Sequence, residues 1–194
     1  MTKLFLVIMV FVNPFVMYAQ PTITATDTAS QNNFRATATK INDLVHTKLD
    51  VKFDYDKSYL YGKAWITLKP HFYSTDSLQL DAKGMDIQEV ALMNGKIKSP
   101  LKYLYDSMQL NITLNKMYKG GENYTIYIDY VSKPNELKVK GSAAITDARG
   151  LYFINPKGEE KDKPTQIWTQ GETEANSVWF PTIDKPNQKT TQEI

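Results

Sequence analysis

Leu44-Val45-His46-Thr47-Lys48-Leu49-Asp50-Val51-Lys52-Phe53 is the stretch that decides the fold. Val45, Thr47, Leu49, Val51 and Phe53 alternate with His46, Lys48, Asp50 and Lys52. That period of two suits a strand with one face in a core and the other in water. Asp54-Tyr55-Asp56-Lys57-Ser58 follows as turn chemistry. Tyr59 to Lys69 then reads as a second strand, with Leu60, Ala64, Ile66 and Leu68 on one face, and Pro70 ends it. Gly62 inside that run predicts a bulge or a shift of register. Outward from this pair, strands are expected at Leu78–Leu80, Ile87–Met93, Leu101–Tyr105, Met108–Leu114, Tyr124–Val131 and Gln166–Thr169. Asn94-Gly95, Asp106-Ser107 and Gly120-Gly121 separate several of them as turn formers. No segment carries a long helical period. The best short helical candidate is Glu172 to Val178, about two turns. Lys157 to Pro164 reads as an exposed charged loop. The fold class is all-β, an extended sheet or sandwich with an irregular C-terminal third and a short helical turn near its end.

Length and composition bound the rest. At 194 residues, 42% hydrophobic and 23% charged, the chain is globular material for one domain with appendages. A formal charge of +2 gives no basic stripe, so no nucleic-acid partner is expected. The absence of cysteine excludes a disulfide scaffold, a thiol nucleophile, a cysteine-ligated metal and a lipidated cysteine. Residues 1–19 read as a signal peptide: Lys3, an apolar run from Leu4 to Val16, and the small Ala19 before the cut. That run is shorter than the 20 or so apolar residues of a spanning helix, so no membrane span is expected after cleavage. The protein is then exported, periplasmic or secreted. Residues 20–41, rich in Thr, Ala, Asn and Gln, read as a flexible linker, and 42–194 as the folded domain.

Candidate chemistry is sparse. His46 and His71 are the only histidines. Without a third His or any Cys, no zinc site is expected within the chain. Asp54 and Asp56 lack the further oxygen ligands and the glycine of a calcium loop, which leaves them as turn formers. The twelve tyrosines and three tryptophans suggest sugar stacking, but Tyr103, Tyr105, Tyr124, Tyr127 and Tyr130 fall in strand patterns where packing alone explains them. Thr169-Gln170-Gly171-Glu172, followed eight residues on by Phe180-Pro181-Thr182-Ile183-Asp184-Lys185-Pro186, is the informative segment. It delivers Gln170 and Glu172 in i, i+2 relation, facing one side if the strand continues. A carboxylate fixed there is suited to an ammonium group through charge-assisted hydrogen bonds. Glu172 or Thr173 as the cap of a short helix fits the spacing equally well.

Thr-Gln-x-Glu followed by Phe-Pro-x-x-Asp-x-Pro resembles the end of the N-terminal domain of zinc aminopeptidases of the aminopeptidase N family. Leu80-Asp81-Ala82-Lys83-Gly84-Met85-Asp86-Ile87 is similar to that family's early Leu-Asp segment, and Gly150-Leu151-Tyr152 to its Gly-Phe/Leu-Tyr strand. The three landmarks come in the family's order over residues 42–194. The resemblance implies a β domain that caps a separate, thermolysin-like zinc catalytic domain. Gln170 and Glu172 would line the pocket for the first substrate residue, and Glu172 would bind the free α-amine of a peptide. Phe180, Pro181, Asp184 and Pro186 would be scaffold. Asn176-Ser177 stands where the family usually has Ala-Arg. The family's Gly-x-Met-Glu-Asn strand and His-Glu-x-x-His helix are not in this sequence, and Gln192-Glu193-Ile194 reads as the opening of another strand. The expectation is therefore the front part of an exported aminopeptidase. It contains no catalytic residue of its own, its zinc lies in the missing catalytic domain, and its partners are a peptide N-terminus and that domain. The alternative is a stand-alone exported β-sheet module that binds protein or glycan.

Overall fold

The computed structural model describes residues 39–138 and 147–194. The expected signal peptide 1–19 and most of the linker, 20–38, lie outside the described residues. Among the described residues eleven strands run in chain order: β1 Asn42–Asp54, β2 Tyr59–Pro70, β3 Thr75–Asp81, β4 Met85–Asn94, β5 Ile97–Pro100, β6 Lys102–Tyr105, β7 Gln109–Tyr118, β8 Tyr124–Ser132, β9 Leu151–Ile154, β10 Gln166–Thr169 and β11 Thr191–Glu193. They form a six-stranded sheet in the order β11-β1-β2-β8-β4-β5, a three-stranded sheet β3-β7-β6, and the two-stranded pair β10-β9. Every pairing is antiparallel except β1 with β11. The fold is all-β.

One hydrophobic core joins the three sheets. Leu60, Ile66 and Leu68 of β2 and Ile126 and Ile128 of β8 meet Leu78 and Leu80 of β3, Leu110 and Ile112 of β7, and Leu151 and Phe153 of β9. Most of these side chains are fully buried, each stabilising the fold by about 1.5–3 kcal/mol relative to exposure. The alternation of β1 holds from Thr47 onward, with Thr47 and Leu49 buried and Lys48 and Asp50 exposed. A bulge between Leu44 and His46 shifts the phase at the start, so Leu44 enters the core in place of Val45.

Two expectations need correcting, and the expected Leu101–Tyr105 strand, which forms as β6, has a neighbour, β5, that the sequence reading did not include. Gly62 is not a bulge: β2 pairs through it in unbroken register, opposite Val51 on one side and Tyr130 on the other. A Cβ there would sit 2.2 Å from Cζ of Tyr130, so glycine makes room for a buried ring. The expected Leu101–Tyr105 strand belongs to the second of two strands in different sheets. β5 pairs with β4 up to Pro100, and the Leu101 N–H still donates to the Val90 carbonyl at 3.0 Å before the chain crosses over to pair β6 with β7. No two-turn helix forms over Glu172–Val178. The segment contains a single 3-10 turn, Asn176–Val178, and Glu174 just before it lies at φ 58°, in the left-handed region that an α-helix excludes.

Candidate functional site

The segment Gln170–Asp184 is built on the β9–β10 hairpin. Gln166, Ile167, Trp168 and Thr169 pair with Ile154, Phe153, Tyr152 and Leu151, and the ladder runs one residue further through Gln170 N–H to the Gly150 carbonyl at 2.9 Å. Although β10 forms over the expected residues, its side chains are mostly exposed, with only Ile167 packed against the core. After Gln170 the chain turns, and Ala175 N–H closes onto the Gly171 carbonyl at 2.9 Å.

Contacts from distant parts of the chain hold this turn. Gly150, at φ 69°, lies under it so closely that a Cβ would be 1.9 Å from the Ala175 carbonyl oxygen. Lys83 Nζ donates to the Glu174 carbonyl at 2.5 Å, and its backbone N–H to the Ser177 carbonyl at 2.8 Å. Lys185 Nζ reaches Glu174 Oε2 at 2.6 Å, and that hydrogen bond pushes the Lys185 ammonium above its ordinary range. Buried Asp184 accepts from Ser177 N–H at 2.8 Å and from Asn176 Nδ2 at 3.4 Å, while its own N–H donates to Asp81 Oδ2 at 3.0 Å. Asp81 and Thr182 exchange two backbone hydrogen bonds, at 2.7 and 3.0 Å. The Asn176 amide also fills the space beside Gly171, 2.5 Å from where a Cβ would stand. Leu80-Asp81-Ala82-Lys83, Gly150-Leu151-Tyr152, Gln170-Gly171-Glu172 and Phe180-Pro181-Thr182-Ile183-Asp184, separate in sequence, thus converge on one place.

Gln170 and Glu172 are brought together there. Gln170 Nε2 donates to Glu172 Oε2 at 3.4 Å, a long contact that leaves most of the carboxylate's accepting capacity open. Glu172 is exposed and Gln170 half-buried. Among the described residues no cation pairs with Glu172. Neither Glu172 nor Thr173 caps a helix: the 3-10 turn has Ala175 at its cap, with no side-chain hydrogen bond. Asp184, the other carboxylate of the segment, is committed to backbone and amide donors and is no candidate for an external cation. Sequence reasoning missed Lys83 and Glu174 as ties and Asn176 as a wedge, because each acts on a partner that only the tertiary fold supplies. It also missed the stack of Trp168 on Tyr152, whose ring centroids are 4.5 Å apart at 11°.

Among the described residues no group of three His, Asp or Glu is placed to hold a metal ion. His46 Nδ1 is bonded to Thr191 Oγ1 at 2.8 Å, and His71 Nδ1 to Asp43 Oδ2 at 2.8 Å. A zinc ion therefore does not fit the residues described. Asp54, which is read as a turn former, accepts from Lys57 N–H at 3.0 Å. Tyr124, Tyr127 and Tyr130 are buried in the sheet. The Tyr105 hydroxyl donates to the Ala82 carbonyl at 2.7 Å and accepts from Met85 N–H at 2.8 Å.

The family model of the peptidase M1 N-terminal domain matches residues 43–194. The chain belongs to that family. Solved structures share the fold of this M1 N-terminal domain. The M1 zinc metallopeptidase from Deinococcus radiodurans aligns at TM-score 0.61 and 16% identity, covering 82% of this chain and 33% of that one. A mutant of the Deinococcus radiodurans enzyme bound to a Tyr-Ser-Ala substrate aligns at 0.62 and 17% identity, with the same 82% and 33% coverage. Native leukotriene A4 hydrolase from Saccharomyces cerevisiae aligns at 0.58 and 22% identity, covering 84% of this chain and 24% of that one. The chain thus spans about a third of the bacterial enzyme and a quarter of the yeast one. No curated protein matches the sequence.

Proposed function

We propose that this M1 domain is the substrate-capping part of an exported zinc aminopeptidase, and that Glu172, assisted by Gln170, binds the free α-ammonium of a peptide. The observation that carries the reading is the pairing of an exposed carboxylate, with no cation beside it among the described residues, with an amide on a turn tied down from three sides. Such a turn pre-organises the acceptor, so little ordering entropy is lost when an ammonium arrives. The chemistry that follows is removal of one residue at a time: a fixed anion holds the N-terminus and sets which peptide bond lies one residue further on. Gln170, with both an amide donor and a carbonyl acceptor, orients the carboxylate and has a carbonyl left for the same ammonium.

Bond cleavage itself is assigned to a zinc-bearing catalytic domain elsewhere in a longer polypeptide, since the residues described here do not fit the metal. Membership of the M1 family and the zinc metallopeptidases among its structural relatives support that assignment. The leader with Lys3, its apolar run and Ala19 supports export. The test is hydrolysis of aminoacyl chromogenic substrates by the native polypeptide and by residues 1–194 alone. Chelator-sensitive hydrolysis by the former and none by the latter is expected. Chelator-sensitive hydrolysis by 1–194 alone, or a native polypeptide that binds protein or glycan and cleaves nothing, would overturn the reading.

A further inference from the structure

The outer face of the β9–β10 hairpin carries an aromatic surface that the binding of an ammonium leaves unexplained. Ile167 and its cross-strand partner Phe153 point into the core, so the alternation of the two strands turns Trp168 and its partner Tyr152 outward. Their rings stack at 4.5 Å, nearly parallel at 11°, while Trp168 remains 45% exposed. The Tyr152 hydroxyl is held by the Asp147 carbonyl, which fixes one ring as the floor for the other. Two residues beyond Trp168 on the same face is Gln170, still in the ladder through Gly150 and in contact with Glu172. Two residues of strand span about 7 Å, within reach of a side chain on the residue whose ammonium Glu172 would hold.

From this we infer that the Trp168–Tyr152 stack is the wall for the side chain of the substrate's first residue, and that it selects peptides beginning with an aromatic side chain. The inference rests on the amine-binding reading of Glu172. A flat, rigid indole beside a carboxylate and an amide matches an amino acid that presents an ammonium at one end and an aryl ring at the other. Offset stacking on the indole adds to plain burial of the ring. An alanyl terminus gains neither contribution.

The experiment is the ratio of kcat/KM for phenylalanyl over alanyl chromogenic amides, measured on the full-length polypeptide, its Trp168→Thr variant, its Trp168→Phe variant and its Glu172→Gln variant. The wild type is expected to favour the phenylalanyl substrate roughly tenfold or more. Trp168→Thr should bring the ratio close to one, and Trp168→Phe should keep a clear preference because it keeps an aromatic face. Glu172→Gln should slow both substrates and leave the ratio in place. A wild type with no preference overturns the inference without recourse to any variant. So does a Trp168→Thr enzyme that keeps the wild-type ratio, as it would if another segment of the polypeptide covered the stack. If Glu172→Gln leaves both rates at wild-type level, the amine-binding reading fails instead. Absence of hydrolysis by the wild type would sink both.

Discussion

Gly150→Ala separates the conformational cost of a left-handed residue from the cost of disturbing the turn that carries Glu172. Gly150 sits at φ 69°, and a Cβ there would stand 1.9 Å from the Ala175 carbonyl oxygen and 3.2 Å from Val178 Cβ. The left-handed backbone alone costs a non-glycine residue about 1–2 kcal/mol. To reach even the 3.0 Å floor of real contacts, the carbonyl must recede by about 1.1 Å. That movement is resisted by the Ala175 N–H bond to Gly171 and by the Lys83 bond to the neighbouring Glu174 carbonyl. Overpacking of this kind adds about 1–3 kcal/mol, for a total loss of about 2–5 kcal/mol, a large fraction of a typical domain's stability. Gly95 is the control: it has φ 60° and nothing within 4 Å of a Cβ, so Gly95→Ala should lose only the backbone cost, about 1–2 kcal/mol. Urea titrations followed by tryptophan fluorescence and far-UV circular dichroism would give both values. If Gly150→Ala were no less stable than Gly95→Ala, the close packing of Gly150 under the turn would be refuted.

Other substitutions probe the same frame. Tyr130→Phe should leave stability unchanged or raise it by up to about 1 kcal/mol in the urea titration, because the buried Tyr130 hydroxyl has no hydrogen-bond partner among the described residues; a clear loss would mean that it has one. Asp184→Asn should cost about 1.5–3 kcal/mol, since the new amide turns a donor toward one of the donors Asp184 now accepts, Ser177 N–H or Asn176 Nδ2; a neutral result would count against the Asp184 tie. Burial alone would raise the Asp43 carboxyl, but hydrogen bonds from His71 and Lys40 outweigh it and hold it below 3.8. A carboxyl lowered by folding contributes stability above about pH 4 and loses it as the pH falls through its folded value. Asp43→Asn should therefore flatten the acid branch of the stability profile between pH 5 and 2, and an unchanged slope would contradict the pairing.

Legibility in the sequence followed the range of the interactions involved. β1, β2 and β8 announce themselves because alternation is a local property, and Thr47, Leu49, Leu60, Ile66 and Leu68 occupy the core as their spacing implies. Gly62 was opaque, since its reason is a tyrosine 68 residues away in β8. The crossing at Leu101 was hidden because Ile97–Pro100 and Lys102–Tyr105 abut with no turn residues between them. Over Glu172–Val178 a local helical pattern lost to tertiary ties: Lys83 and Lys185 hold Glu174 in a conformation that no helix allows. At the site, the i, i+2 spacing would place Gln170 and Glu172 on one side of a continuing strand, but the chain turns after Gln170 and the two side chains meet across that turn instead. The ties from Asp81, Lys83 and Asp184 were not readable, because hydrogen bonds across about a hundred positions leave no mark in composition or period.

Discrimination between a free and a blocked amino terminus decides the role of Glu172. The ratio of kcat/KM for an alanyl peptide over its N-acetylated form would be measured on the full-length polypeptide and on Glu172→Gln. Loss of a charge-assisted hydrogen bond to an ammonium is worth about 1.5–3 kcal/mol. Glu172→Gln should therefore slow the free peptide by about 10- to 100-fold, leave the acetylated one where it was, and shrink the ratio accordingly. A Glu172→Gln enzyme that keeps the wild-type ratio would contradict the assignment of Glu172 to the peptide's amine.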